Sequence, residues 1–388
     1  INVSYKWFGQ RHTTENQNFR STVVRTKTDM ATMNNNSNYK NDNVAELLTN
    51  ANLSVLFERE KAGLSPQERN DLVLKKYGAQ PLIIETPELI SRSLQLLEEA
   101  IDRIEEKEAY ETALFVIPDH VTDDHFVLAF LRADQFDANA AAQRMVNYWE
   151  RKVELFGTDR AFHPYLSIFD LKEEDYPAFR KGHHRLLPNP DESGRALVFR
   201  YYAYADKNID SLIRTAWYMY HKALWNNERS DETQRKGFVY LVGDGSKTFP
   251  FESLPDSAKL LTNINRDLNS VLPIQVVAIN VVTISSSYMP VRPDLILRCM
   301  SSHFRKLVNI YPMEKVDETM NELSLCGIDR EDVPEELGGE LDFDYNEAMF
   351  DEIMQDLSLS QVYMNDDYYE VIPESILSLA LYFKMNLN

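Results

Sequence analysis

The run Pro273-Ile274-Gln275-Val276-Val277-Ala278-Ile279-Asn280-Val281-Val282 constrains this chain more than any other stretch. It is almost continuously apolar and rich in β-branched residues. That pattern suits a strand covered on both faces rather than one that alternates between core and water. Such a strand sits inside a parallel sheet with helices packed on it. The run opens at a proline and breaks at Ser285-Ser286-Ser287. A helical segment from about Pro293 to Phe304 follows, then the short apolar run Leu307 to Tyr311.

The flanking sequence repeats the alternation. Asp191-Glu192-Ser193-Gly194-Arg195 reads as a turn feeding a strand over 195–204, with aromatic and β-branched residues. An amphipathic helix follows, with Ile209, Leu212, Ile213, Ala216, Trp217, Tyr220 and Leu224 on its apolar face. Gly237 to Val242 is the next strand, and Gly243-Asp244-Gly245 terminates it. Helical residues Leu261, Ile264 and Leu268 lead back to the first run. Strands alternating with helices specify an α/β fold with a largely parallel sheet.

The N-terminal half reads differently. Residues 1–44 are dominated by Asn, Thr and Ser and are mildly basic, and are expected to be a disordered leader, begun at Met30 or Met33 or left from a transit peptide. Residues 45–160 form a helical region. Thr86-Pro87-Glu88 is a start signal, with the threonine as N-cap and the proline in the first turn. Ile90, Leu94, Leu97, Ile101 and Ile104 then make one apolar stripe, and Glu105 to Glu108 a solvated face. A short helix capped by an acidic residue ends near Ala133. A longer one carries Ala142, Met145, Val146, Trp149, Val153 and Phe156 on one side.

The net charge of −20 argues against a nucleic-acid partner, whose proteins show a basic footprint. Two cysteines, Cys299 and Cys326, make no disulfide framework and fit a reducing compartment. No apolar run reaches the ~18 residues that a membrane span needs. Residues 343–388 are an acidic extension; from Asp329 to the end there are 16 acidic and two basic residues. Met349, Ile353, Met354 and Leu357 mark one helix there, either docked on the body or part of a tail that repels anionic membrane.

Four clusters invite chemistry and none supports it. Asp119-His120 and Asp123-Asp124-His125 look like metal ligands, but Asp123 or Asp124 is better read as a helix cap, and Asp119 and His120 as an exposed turn. His183-His184 are neighbours that rarely converge on one ion. Gly243-Asp244-Gly245-Ser246-Lys247 lacks the Walker spacing, and Ser285-Ser286-Ser287 lacks a nucleophile elbow. No catalytic residues, metal or cofactor are expected.

Two sets of motifs bracket the α/β region. The order Asp123-Asp124, Phe130-Leu131-Arg132-Ala133, Phe136-Asp137 resembles the N-terminal helical motif of the CRAL-TRIO lipid-binding proteins. Val333-Pro334-Glu335-Glu336-Leu337-Gly338-Gly339 resembles that family's closing motif. The resemblance covers about residues 120–342 and implies that 161–342 is a CRAL-TRIO-like domain. In that family one side of the sheet floors an elongated apolar pocket, and a helix after the central strand gates it. Carried over, the floor is Phe199, Tyr201, Tyr240, Val242, Val277, Ile279, Val281 and Thr283, and the gate Leu297, Met300 and Phe304. Lys306 stands at a family head-group position.

Three departures accompany the match. Asn280, Thr283 and Ser285 replace the family's His, Asn and Pro. Ile274 stands where phosphatidylinositol-binding members carry an acid. Pro290 and Pro293 shorten the gate. The resemblance implies a non-enzymatic, cytoplasmic protein that binds a hydrophobic ligand or phospholipid, with transient contact to a membrane surface. The alternative is an interaction module with a vestigial pocket, whose acidic tail binds a basic partner.

Overall fold

The computed structural model describes residues 60–363 and 374–385, apart from 61, 183, 202–207, 245–262, 264–265, 268–269, 284–300 and 343. Expectations that rest on the leader, the gate residues Leu297 and Met300, the helical residues Leu261, Ile264 and Leu268, and Ser285 to Ser287 lie outside the described residues. No helix among the described residues is long and apolar enough to cross a membrane.

Five strands form one mixed sheet in the order β1 (His184–Leu186), β2 (Ala196–Tyr201), β3 (Phe238–Asp244), β4 (Val276–Thr283), β5 (Val308–Pro312). β1 is antiparallel to β2, and the other neighbours are parallel. The apolar run of 273–282 therefore becomes β4, flanked on both sides, as its composition requires. β1 has no counterpart in the sequence reading. It is a three-residue edge strand with two charged or polar members, too short to show a period.

Helices pack on both faces. α1 (Pro66–Lys76), α2 (Pro87–Asp102), α3 (Glu108–Val116), α4 (Asp124–Ala133) and α5 (Ala138–Phe156) precede the sheet. Thr86 caps α2 by accepting from the Leu89 N–H, and Asp123 caps α4 by accepting from the Phe126 N–H. α6 (Tyr176–Lys181) leads into β1. α7 (Ile209–Trp225) and α8 (Ser230–Lys236) connect β2 to β3, and α9 (Ser302–Leu307) precedes β5. α10 (Val316–Ser324), α11 (Tyr345–Tyr363) and α12 (Glu374–Met385) close the chain.

α7 is buried all round, which places it between layers. Trp217, Tyr220 and Leu224 join the core on one face of the sheet with Val198, Tyr240, Ile279, Val281 and Val308. Most of its charged side chains are paired internally. Arg214 binds Asp175 and Glu174, and Lys222 binds Asp356. The Leu166 N–H donates to His221 Nδ1, and Nε2 lies 3.2 Å from the Tyr148 hydroxyl.

The opposite face holds a separate core of Leu197, Phe199, Val239, Leu241 and Val282 against Met320 and Leu323 of α10 and Val333 and Leu337 of the closing motif. That motif ends a tight knot. A Cβ on Gly339 would lie 1.8 Å from the Val333 carbonyl oxygen, so only glycine fits. Asp191 Oδ1 accepts from the N–H groups of Ser193 and Arg195, closing the Asp-x-x-Gly-Arg turn. Buried Arg195 then ties that turn to the Lys75 and Cys326 carbonyls.

The C-terminal extension is docked. Met349 and Ile353 are buried in the main core, while Met354 is exposed. His120 is a correction to the exposed turn read from sequence. It lies buried in a helical turn, Pro118–Val121, with its ring 4.3 Å from Phe126. Burial first, and then the Lys152 charge, push its pKa down to about 3.

Candidate functional site

The residues read as one pocket floor do not share one face. Cross-strand register puts Val198, Tyr240, Ile279 and Val308 in one rung, and Arg200, Val242, Val281 and Ile310 in the next. Tyr240, Val242, Ile279 and Val281 thus lie together against α7. Phe199 packs on the other face, under α10. Val277 also belongs there, although it is two residues from Ile279. A register shift beside Phe238 and Val239 makes Val277 the extra residue of a bulge, which reverses its side. Tyr201 pairs with Gly243 at the end of β2, and Thr283 with Pro312 at the end of β4.

A cavity opens at the other end of the sheet, where β4 begins. It is a cleft of about 600 Å³. Its walls come from α1 (Leu74, Lys75), from Gln80, Pro81, Leu82, Ile83 and Glu85, from Arg132 and Ala133 of α4 with Gln135 and Phe136 after it, and from α9 (His303, Phe304). Ile274 to Val277 form the remaining wall. The cleft therefore brings together Val277 and Phe304 of the expected set, together with Ile274, the position of the missing family acid. Lys306 lies one turn beyond His303 on α9.

Electrostatics divide this cleft. On one side the charges are neutralised by pairs. Arg132 donates two bonds to the Glu85 carboxylate at 2.8 Å and reaches Asp231, also at 2.8 Å. Arg144 grips Asp134 in the same bidentate way, at 2.7 Å, and donates to the Leu272 carbonyl. On the other side stand Asp71, Lys75 and His303, with Lys306 further along the His303 helix. His303 is exposed on the wall, yet its surroundings first, then the charges of Lys75 and Lys306, hold it below the ordinary imidazole range.

Arg132 carries the N-terminal family-like motif, and its role emerges only in three dimensions. Besides its ion pairs it donates to Gln234 of α8, and its carbonyl accepts from Gln275 at the start of β4. Burial opposes its charge, but Glu85 and then Asp231 outweigh burial and hold its pKa above the usual value. The motif therefore joins the helical lobe to the sheet. Three and four residues on, Gln135 and Phe136 have φ of 54° and 62°. Consecutive left-handed residues with large side chains are strained, and strain of this kind concentrates at functional sites. Both line the cleft.

Asn280 lies on the α10 face, where the Asn309 Nδ2 donates to its Oδ1 at 3.2 Å. A second, smaller cavity of about 230 Å³ lies between α6, β1, α7 and α11, with His184, Arg185 and Glu352 on its walls. Among the described residues no three His, Cys, Asp or Glu converge as metal ligands. No protein-family model matches the chain, and no curated protein matches it.

Proposed function

We propose that the chain binds one hydrophobic ligand, a lipid or phospholipid with an acyl or isoprenoid body, and exchanges it with a membrane without chemical turnover. The observation that carries this reading is the cleft at the start of β4. Its volume falls in the range of small-molecule sites. Leu74, Leu82, Ile90, Phe136, Val276 and Phe304 supply an apolar wall, where each buried methylene of a ligand contributes ~0.8 kcal/mol. Lys75 lines one side beside the acid Asp71, and Lys306 lies on the helix that carries His303, so an anionic head group would meet positive charge there. The polar groups of the opposite side are spent on each other in ion pairs. That leaves no acid–base pair or nucleophile set for a reaction. The resemblance to the CRAL-TRIO proteins points the same way, with Lys306 at a head-group position. Ile274 removes the acid that phosphatidylinositol-binding members use, which favours a simpler anionic or uncharged head.

Native mass spectrometry of the purified chain tests the reading. A co-purifying lipid, or stoichiometric uptake of one from vesicles, is the expected result. A chain that carries no lipid and takes up neither an anionic phospholipid nor an uncharged isoprenoid refutes it.

A further inference from the structure

The cleft opens between two segments that hold large apolar side chains in water. On α1, Val73 is 51% exposed, and Tyr77 beside it is also exposed. Across the mouth, Leu82 is 46%, Ile83 40% and Ile84 82% exposed. Leu74, Lys75, Leu82 and Ile83 line the cleft, and Val73, Tyr77 and Ile84 stand within two residues of them in the chain. Large apolar side chains held in water in two segments beside one cleft mark an interaction site.

Neither segment is free to turn its apolar groups inward. Glu85 is clamped by Arg132 and Arg235, and the Thr86 N–H donates to the Ile84 carbonyl as Thr86 caps α2. The end of α1 is fastened by buried Arg195, which donates to the Lys75 carbonyl. The rim is thus presented by buried anchors. Lys75 and Lys76 stand in the last turn of α1, and Lys306 on nearby α9. Apolar side chains interleaved with lysines suit a bilayer surface, where acyl contact and anionic head groups both contribute. A second copy of the chain would bring the same lysines against these, which is repulsive.

We propose that this rim, Val73 and Tyr77 of α1 with Leu82, Ile83 and Ile84, is the surface that docks on a lipid bilayer, with Lys76 adding attraction to anionic lipid. The proposal rests on the ligand reading above and names where the cleft meets its membrane. Val73 and Ile84 do not line the cleft, so their exchange leaves the ligand contacts intact.

The test is co-sedimentation of the full chain with phosphatidylcholine vesicles, with and without phosphatidylserine. Val73→Ser with Ile84→Ser should lower partitioning onto both vesicles about tenfold or more, consistent with the transfer cost of two aliphatic side chains. Lys76→Glu should remove only the phosphatidylserine-dependent, salt-sensitive part. Phe115→Ser serves as control, because Phe115 is 87% exposed on α3, which contributes nothing to the cleft. Unchanged sedimentation of the Val73/Ile84 variant, an equal loss in the Phe115 variant, or loss of dimers rather than of vesicle binding would overturn the proposal. Native mass spectrometry of the same samples separates the two readings. A lipid-loaded variant that no longer sediments supports docking, and an empty wild-type chain that still sediments refutes the ligand reading alone.

Discussion

Asp356 offers the sharpest test of how the C-terminal helix is held. It is buried on α11 and satisfies three groups at once. Lys222 Nζ donates to it at 2.8 Å, as do the Tyr218 hydroxyl and the Ile168 N–H. Asp356→Ala leaves the Lys222 ammonium buried, with only Gln355 at 3.1 Å as a neutral acceptor. Removing one partner of a buried pair costs ~3–5 kcal/mol, most of it the penalty of the stranded charge. Two further donors lose their acceptor, at ~1 kcal/mol each if water reaches them. A loss of about 5–7 kcal/mol is therefore expected.

The double variant Asp356→Ala with Lys222→Met removes the stranded charge and should recover most of that loss, ending within about 2 kcal/mol of the parent. Urea unfolding midpoints of the four chains form the cycle, and limited proteolysis reports whether α11 is released first. A single variant that loses less than about 1 kcal/mol, or a double variant no better than the single one, would mean that the pair does not hold the helix. Removal of residues 345–388 should destabilise further, because Met349 and Ile353 leave the core with it. An unchanged melting point would return the segment to the role of an electrostatic tail.

Other outcomes follow from the same physics. Burial first, then Asp356, raise the Glu352 pKa to about 7 against the opposing Lys222 charge, so its folded value lies above its unfolded one. The stabilisation is then full at acid pH and declines as pH rises from the ordinary carboxyl range through about 7. Glu352→Gln should flatten that slope in pH-dependent melting and stabilise the chain at pH 8 by about 2 kcal/mol, allowing for partial exposure. Lys306→Ala should lower uptake of an anionic phospholipid and leave an uncharged isoprenoid nearly unchanged, whereas equal loss for both marks it as structural. An anion beside His303 raises its depressed pKa, so uptake of an anionic lipid should strengthen as pH falls, and His303→Gln should abolish that trend in the same uptake assay. Arg132→Lys keeps charge but not the bidentate bond to Glu85, and should cost about 1–3 kcal/mol in urea unfolding.

The strands β2, β3, β4 and β5 were legible because each is an apolar or β-branched run bounded by turn residues. Helix α2 was legible from Thr86, Pro87 and its stripe. β1 was not, since three residues carry no period. The division of the sheet's faces was illegible for a different reason. Alternation relates Tyr240 to Val242 within a strand, but register between strands decides that Phe199 faces away from both. The bulge at Val277 then breaks alternation inside β4 itself, and nothing in Val276-Val277-Ala278 announces it. His120 misled because a polar residue beside Asp119 reads as surface, while its burial depends on Phe126, Trp149 and Tyr165 closing over it.

The cleft shows the same limit from the side of function. Phe304, Lys306, Ile274 and Val277 were singled out from one stretch of chain, yet the walls that complete the site come from Leu74, Lys75, Gln80 to Ile83 and Glu85, about 200 residues earlier. Open parallel sheets usually bind ligands beyond the carboxyl ends of their strands. Here the described cleft sits where β4 begins. Two features permit this. Pro273 and Ile274 enter β4 without pairing to a preceding strand, and the carbonyl of Arg132 accepts from the Gln275 side chain. The helical lobe is therefore part of the site's wall, and Arg132, which joins that lobe to α8 and β4, fixes the position of the wall. A change in the lobe's seating must change the width of the cleft, because Glu85, Arg132 and Phe136 move with the lobe while Ile274 and Val276 move with the sheet.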